Sequence, residues 1–175
     1  MERGSVEAFE QLYKEYSDKV FSYIFLLVNN TQVAEDLTQD TFIKAYRNMD
    51  QFNGESHVFT WIFRISRNVT IDYLRKKRLL QFFSIEKYQF ESDLQTPLEI
   101  VMKGERMTLL YEAIRHLKLS YQEVLILRKI KELSIKETAE ILNWNENRVK
   151  ITTSRAVAAL KKELMKRREN NEELI

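Results

Sequence analysis

The chain has 175 residues, of which 44% are hydrophobic and 31% are charged, and its formal net charge is only +2. Three Gly and one Pro in the whole chain favour helices over a turn-rich sheet protein, so we expect an all-α fold. The absence of cysteine excludes disulfides, cysteine-ligated zinc and thiol catalysis. No phosphate-binding Gly-rich loop occurs and the two histidines form no motif, so we expect no enzyme activity, no cofactor and no metal site.

Two amphipathic helices are predicted at the start of the chain. Val6–Val28 repeats apolar residues at helical spacing; its apolar end, Val20–Val28, is too short for a membrane span and is interpreted as a core helix. The first ten residues lack a signal-peptide pattern, so we expect a cytoplasmic protein. Gln32–Met49 forms the second helix, with an apolar stripe that faces inward. A second stripe, which a scaffold helix would not need, consists of Asp36, Gln39, Asp40, Ile43 and Arg47.

A third helix is predicted from Thr60, which can cap it, to about Arg78, after a loop that contains Gly54. One of its faces is polar and basic, and aromatic residues lie beside it. Aromatic rings next to cations suit single-stranded DNA, because bases stack on rings while the backbone follows positive charge. The same residues also fit a plainer interpretation, in which Trp61 and Phe63 are core and the Arg75–Arg78 stretch is a solvated helix end.

Periodicity is lost over Leu79–Glu105, a stretch with several acids and the single proline, and we interpret it as a linker between two domains. About 27 residues span at most roughly 90 Å when extended. A second helical domain is expected from Arg106 to Arg168, followed by a charged tail over residues 169–175.

The second domain contains a pattern of two short helices joined by a tight corner. Ser134 with Glu137 predicts a capping box, Asn143 can take the left-handed conformation that ends a helix, and Asn145 can cap the next helix. Helix, three-residue turn and helix is the geometry that places a second helix in the major groove of DNA, although such corners also occur in bundles that bind no nucleic acid. Residues of the second helix that lie off its inward stripe are Lys150, Ile151, Ser154 and Arg155.

Four segments in this order resemble the extracytoplasmic-function group of bacterial sigma factors: AEDLTQDTFIKAYRNMDQF, FTWIFRISRNVTIDYLRKKR, EVLILRKIKELSIKETAEIL and VKITTSRAVAALKKEL. The resemblance implies two helical domains joined by a flexible linker. Sigma region 2 would occupy residues 1–78, the linker 79–105 and sigma region 4 residues 106–168. It also implies core RNA polymerase and promoter DNA as partners, and an anti-sigma factor, which in this family is often membrane-anchored.

The resemblance further implies which residues carry each function. Binding of core polymerase is assigned to Asp36, Leu37, Gln39, Asp40 and Phe42. Recognition and melting of the −10 promoter element are assigned to Trp61, Arg64, Asn68, Arg75 and Lys76, with the loop from Gly54 to Phe59 shaped to hold an extruded base. Contacts to the −35 element are assigned to Arg128, Lys150, Ile151, Ser154 and Arg155; Arg128, on the supporting helix, would contact a phosphate.

Two alternatives remain open on the residues alone. The first is a helix-turn-helix regulator that acts without joining polymerase, which leaves the first domain unexplained. The second is a helical protein that binds only protein partners. Departures from the family pattern affect the corner: Glu132 and Asn143 stand where the family often has Gly, and Ile151 with Thr152 replaces a Ser–Arg pair.

Overall fold

The computed structural model describes residues 3–52, 54, 57–83 and 105–172. Within them the chain forms α-helices and no strand, so the predicted all-α fold is confirmed. The helices are α1 (Arg3–Val28), α2 (Thr31–Arg47), α3 (Val58–Phe83), α4 (Glu105–Arg115), α5 (Leu119–Leu125), α6 (Ile135–Leu142) and α7 (Glu146–Glu172). In the described part of the chain, none of them is both long and apolar enough to cross a membrane.

The chain divides into two compact units, Met1–Gln95 and Thr96–Ile175, which agrees with the two predicted helical domains. In the first unit α1, α2 and α3 pack against one another around a core of large apolar side chains. Tyr23 of α1 packs against Phe63 of α3, with ring centroids 5.4 Å apart, and both are fully buried. The other fully buried side chains here include Val20, Ile24, Ala34 and Ile62.

The joint between α1 and α2 follows local rules. Asn29 adopts a φ of 51°, a left-handed conformation that Asn tolerates better than most residues, and its N–H donates to the carbonyl of Phe25 at 2.8 Å. Asn30 then caps α2, because its side-chain oxygen accepts from the N–H of Val33 at 2.8 Å. Two adjacent asparagines therefore end one helix and begin the next.

The start of α3 corrects one expectation. Thr60 is not the cap: the helix begins two residues earlier, and the N–H of Trp61 already donates to the carbonyl of His57 at 3.1 Å. Thr60 lies in the first turn, faces the core with 2% of its surface exposed, and its hydroxyl has no hydrogen-bond partner among the described residues. Packing of the first turn therefore decides where the helix begins.

The end of α3 corrects a second expectation. The sequence predicts that the linker begins at Leu79, but α3 continues to Phe83. The physical reason is that no Gly or Pro lies between Val58 and Thr96, so the loss of apolar periodicity at Leu79 did not mark a helix end. Residues 84–104 of the predicted linker lie outside the described residues, and its last residue, Glu105, begins α4.

In the second unit, α4, α5 and α6 all pack against α7. Its core includes Leu125, Ile126, Leu127, Ile141, Leu142 and Val149. The helix α5 continues into one wider π-helical turn, Ile126–Ile130, before the turn that leads to α6.

The far end of α7 is held against α4 by Arg167. Its guanidinium pairs with Glu112 of α4 at 3.0 Å and with Glu163 at 3.1 Å, and its Nη2 lies 2.7 Å from Nδ1 of His116. The predicted charged tail, residues 169–175, is helical as far as Glu172, and its last three residues lie outside the described part of the chain.

Candidate protein and nucleic-acid interfaces

The second stripe of α2 forms an exposed surface on the first unit. Asp36, Gln39, Asp40, Ile43 and Arg47 all face solvent, and Ile43 exposes 48% of its surface in the middle of this otherwise polar stripe. An exposed apolar side chain surrounded by charges is a common arrangement at protein interfaces, where an apolar centre is rimmed by polar groups. This α2 surface is therefore suited to a protein partner.

Two of the residues predicted for the same site lie inside the unit instead. Leu37 is 7% exposed and Phe42 is 3% exposed. The ring of Phe42 meets the edges of Phe9 and Tyr13 of α1, with centroid distances of 6.3 and 4.8 Å. In this structure both residues hold α2 on the core and so position the α2 surface.

The polar face of α3 carries the residues predicted for the −10 element. Arg64, Asn68 and Arg75 recur on one face and are exposed. Lys76 is exposed at its edge, whereas Trp61, on the same face, is partly buried. The opposite face is buried and apolar apart from Thr60, Ser66 and Thr70. The hydroxyls of Ser66 and Thr70 donate to helix carbonyls at 2.9 and 2.7 Å. The helix therefore presents a cationic surface while its other side is fixed in the core.

The aromatic residues near this surface divide between two roles. Phe63 is fully buried and stacks on Phe59 with ring centroids 4.2 Å apart, as the plainer interpretation of the sequence expected. Trp61 is partly exposed, and its ring centroid lies 5.1 Å from that of Phe52, so part of the Trp61 ring is available to a ligand. The predicted base pocket includes residues 55 and 56, which lie outside the described residues. Gly54 before them is exposed, with a φ of 74°.

Arg75, on the polar face of α3, forms an ion pair within its own helix. Its Nη2 lies 2.7 Å from Oδ1 of Asp72, one helical turn earlier, and both side chains are well exposed. Exposed pairs at this spacing contribute only about 0.3–0.5 kcal/mol, so a phosphate can replace the carboxylate at little cost.

The corner of the second unit has the predicted geometry. The N–H of Glu137 donates to Ser134 Oγ at 3.1 Å and the N–H of Ser134 donates to Glu137 Oε2 at 2.8 Å, which completes the capping box. Asn143 adopts the left-handed conformation, with φ 54° and ψ 48°. Asn145 then accepts from the N–H of Arg148 at 2.7 Å and caps α7. All three predictions for this corner are confirmed.

The exposed face of α7 contains the four residues predicted to reach DNA from it: Lys150, Ile151, Ser154 and Arg155. The inward stripe is formed by Val149 and Ala156, both fully buried, so the helix cannot rotate without exposing them. Thr153 is half-buried beside this stripe, and its hydroxyl donates to the carbonyl of Val149 at 2.7 Å.

Arg128 is half-buried and has an intramolecular partner. Its Nη1 donates to the carbonyl of Leu133, directly before the capping box. A guanidinium has five N–H donors, so this bond leaves others for a phosphate. Arg128 therefore stabilises the turn before α6 as well as standing where the resemblance implies a DNA contact.

A groove of about 420 Å³ lies between the start of α5 and the first half of α7; we call it the α5–α7 groove. Its lining includes Lys118, Tyr121, Trp144, Arg148, Ile151 and Arg155. Lys118 Nζ lies 4.0 Å from the centroid of the Tyr121 ring, and the Arg148 guanidinium carbon lies 4.0 Å from that of Trp144. Sequence reasoning missed Lys118, Trp144 and Arg148. The spacing could have indicated these pairs, because Trp144 lies four positions before Arg148 and Tyr121 lies three positions after Lys118.

Comparison with known protein families identifies both units. The family model described as sigma-70 region 2 matches residues 12–79, and the model described as sigma-70 region 4 matches residues 107–160. The chain is also 34% identical over 165 residues to the RNA polymerase sigma factor YlaC of Bacillus subtilis, covering 93% of this chain and 95% of YlaC. This chain belongs to the extracytoplasmic-function sigma factors of the sigma-70 family. The ECF sigma factor SigW of the same organism is 32% identical, covering 94% of this chain and 92% of SigW.

Solved sigma factors have the same fold. RpoE, in a co-crystal structure with the anti-sigma factor NepR from Bartonella quintana, is 26% identical with a TM-score of 0.70; the match covers 91% of this chain and 98% of RpoE. CnrH, solved in complex with the cytosolic domain of CnrY, is 22% identical with a TM-score of 0.68, covering 90% of this chain and 88% of CnrH, and supports the fold alone. Sigma factors are non-catalytic regulatory proteins. Among the described residues of this one, no group of three His, Cys, Asp or Glu side chains could hold a metal ion.

The family match decides between the functions that the residues left open. As an ECF sigma factor the chain binds core RNA polymerase and directs promoter-specific initiation of transcription at the −10 and −35 elements. A regulator that acts without polymerase is not favoured, because the region 2 match covers α2 and most of α3, which such a regulator would not use.

Proposed function

We propose that three exposed surfaces of this sigma factor divide the work of initiation: the α2 surface binds core polymerase, the polar face of α3 opens the −10 element, and α7 reads the −35 element. The observation that carries the proposal is that each surface lies opposite a buried stripe of its own helix. A polar outer face alone is ordinary for a surface helix, but these faces carry more than polarity: Ile43 is exposed between charges on α2, cations lie beside the partly exposed Trp61 on α3, and two cations are exposed on α7.

Polymerase binding is assigned to Asp36, Gln39 and Asp40, which are exposed on α2. Leu37 and Phe42, predicted for the same function, would contribute by holding α2 against α1. Carboxylates on a rigid helix can pair with cationic side chains of a partner, and they raise the rate and specificity of association more than its final affinity.

Melting of the −10 element is assigned to Trp61, Arg64, Asn68, Arg75 and Lys76. An opened strand exposes base faces and phosphates together, and these residues offer an aromatic ring, an amide and three cations along one side of a helix. Trp61 would stack on a base that has left the duplex, because part of its ring is exposed while the ring of Phe52 packs beside it with centroids 5.1 Å apart.

Reading of the −35 element is assigned to Lys150, Ile151, Ser154 and Arg155, all exposed on α7. A cationic side chain in the major groove can donate to guanine O6 and N7, a contact worth roughly 1–3 kcal/mol of discrimination. Arg128 would contact a phosphate, which fixes register without reading sequence.

Run-off transcription with purified core RNA polymerase on genomic fragments tests the proposal. We expect discrete transcripts only when the sigma factor is added. On a panel of single-base substitutions in the −35 element, Lys150→Ala and Arg155→Ala should each relax the preference at one or two base pairs. Equal losses on every substitution would mean that these two residues only hold the backbone, and that sequence is read by other residues or through DNA shape.

Two further proposals concern partners and location. We propose an anti-sigma factor as a partner, because RpoE, whose fold this chain shares over 91% of its length, was solved with one. We also propose that the protein acts in the cytoplasm, where core polymerase and promoter DNA are found. Co-purification from cells grown without stress would test the first proposal, with an anti-sigma protein expected in place of polymerase.

A further inference from the structure

We infer that Lys118 and Arg148 form a phosphate clamp on the two walls of the α5–α7 groove, where they bind the DNA backbone beside the base pairs read by α7. The inference rests on the proposed function, because it adds residues to the same −35 interface. It differs from the residue assignments above, in which Arg128 was the phosphate contact of this unit.

The first observation is that both cations are held in place before any ligand binds. Arg148 lies 4.0 Å above the ring of Trp144, and Lys118 lies 4.0 Å from the ring of Tyr121. Both side chains remain exposed. A long cationic side chain normally loses rotamer freedom when it binds, and prior stacking on a ring reduces that loss.

The second observation is the charge of the groove. Among the described residues that line it are Lys118, Arg148 and Arg155 but no Asp or Glu, and the remaining polar residues are Ser120, Asn145, Asn147 and Thr152. Within the described part of the chain, no carboxylate lies within ion-pair distance of Lys118 or Arg148. A concave surface with several cations and no carboxylate raises the local concentration of anions.

The third observation is that the groove adjoins the reading surface. Ile151 and Arg155 line the groove and also belong to the exposed face of α7, whereas Lys150 and Ser154 do not line it. A DNA strand whose bases meet Lys150 and Ser154 would therefore carry its backbone toward the groove. The backbone N–H of Arg148 is fixed by the cap at Asn145, so the guanidinium projects from a rigid helix start.

The experiment measures binding of the sigma factor, assembled with purified core polymerase, to a labelled promoter duplex over a range of salt. Each lost phosphate contact lowers the slope of log affinity against log salt by about 0.9. Arg148→Ala and Lys118→Ala should therefore each reduce the fall in affinity between about 50 and 200 mM salt roughly 3- to 4-fold. The relative affinities across single-base substitutions should not change. Lys166→Ala, which removes the same charge about 27 Å further along α7, should leave the slope as it is.

Substitutions of the ring separate positioning from direct contact. Trp144→Phe keeps an aromatic face under Arg148 and should bind like the unmodified protein. Trp144→Ala keeps the charge of Arg148 but removes the ring that holds its guanidinium in place. This variant should therefore bind the promoter duplex more weakly with an unchanged salt slope. Because Trp144→Ala removes a half-buried side chain, the helix content of this variant is measured as well. If Trp144→Ala unfolds, the two single variants Trp144→Phe and Arg148→Ala still test the inference.

The inference is overturned if Arg148→Ala and Lys118→Ala have the salt slope of Lys166→Ala. It is also overturned if they bind DNA normally but lose binding to an anti-sigma protein, since the groove would then be a protein interface. Failure of the proposed function would look different: the unmodified holoenzyme would show no preference for the promoter over substituted duplexes. The clamp is tested even then, because every DNA sequence carries phosphates.

Discussion

Replacing Glu132 by Gly should stabilise the second unit by relieving its backbone. Glu132 has a φ of 56° in the turn before α6, and its side chain is exposed. A residue with a Cβ costs about 1–2 kcal/mol in the left-handed region, whereas Gly adopts it freely. Gly in turn loses about 0.5–1 kcal/mol more backbone entropy on folding. The difference predicts a net gain of roughly 0.5–1 kcal/mol for Glu132→Gly.

The turn conformation itself is fixed by its neighbours, so the substitution should not change it. The N–H of Lys131 donates to the carbonyl of Ile126 at 2.8 Å, and that of Leu133 donates to the carbonyl of Leu127 at 3.0 Å. Leu133 is buried at the end of the turn. These contacts hold both sides of residue 132 whichever side chain it carries.

Urea denaturation followed by tryptophan fluorescence measures the effect on this unit alone. The chain has two Trp, one in each unit, so a Trp61→Phe background leaves Trp144 as the reporter of the second unit. With a slope of about 1–3 kcal/mol per molar urea, the midpoint should rise by a few tenths of a molar and at most about 1 M.

Two matched variants separate backbone strain from charge. Glu132→Ala removes the carboxylate but keeps a Cβ, so it should not stabilise. Asn143→Gly acts at a φ of 54°, which Asn tolerates well, so its gain should be smaller than that of Glu132→Gly. Equal stabilisation by Glu132→Ala and Glu132→Gly would refute the backbone argument and assign the effect to the charge.

Three other predictions follow from the assigned surfaces and the domain boundary. Asp36→Arg combined with Asp40→Arg should weaken binding to core polymerase in a pull-down titration at unchanged helix content, and unchanged binding would remove the α2 surface from the proposal. Arg128→Ala should lower affinity alike on all promoters and reduce the salt slope by about one, and it should also destabilise the second unit by about 1 kcal/mol because it loses the bond to Leu133. Limited proteolysis should cut first within residues 84–104; a first cut inside α2 or α7 would contradict the predicted linker.

The helix-turn-helix corner could be predicted from sequence because its chemistry is local. The capping box joins residues three apart, and Asn143 and Asn145 act on N–H and C=O groups within four or five positions of themselves. Such signals depend on residue type and spacing alone. The same applies to Asn30 at the start of α2.

The ends of α3 could not be predicted in this way. Thr60 has the right chemistry for a cap, but its position in the core was decided by how the first turn packs, which involves residues far away in sequence. At the other end, apolar periodicity stopped before the helix did. Periodicity reports burial of one face, so an exposed helix end gives little signal.

The candidate sites show the same division between pattern and packing. The outward faces of α2, α3 and α7 follow from helical spacing, whereas the burial of Phe42 and the bond from Arg128 to Leu133 required the folded structure. A residue that matches a family motif can therefore act in two ways: it touches the partner, or it holds the residue that does.

Separated surfaces also explain how a chain with a net charge of only +2 can bind DNA. The α2 surface carries two solvent-facing carboxylates, Asp36 and Asp40, while the polar face of α3 and the lining of the α5–α7 groove carry cations. Because salt screens exposed charges beyond a Debye length of about 8–10 Å, a DNA strand interacts with the charges near its binding surface and hardly with the net charge of the whole chain. The acidic surface adds little to DNA affinity and disfavours contact with phosphates through the wrong face. A nearly neutral chain is therefore compatible with a promoter-binding protein whose surfaces proposed for polymerase and for DNA differ in charge.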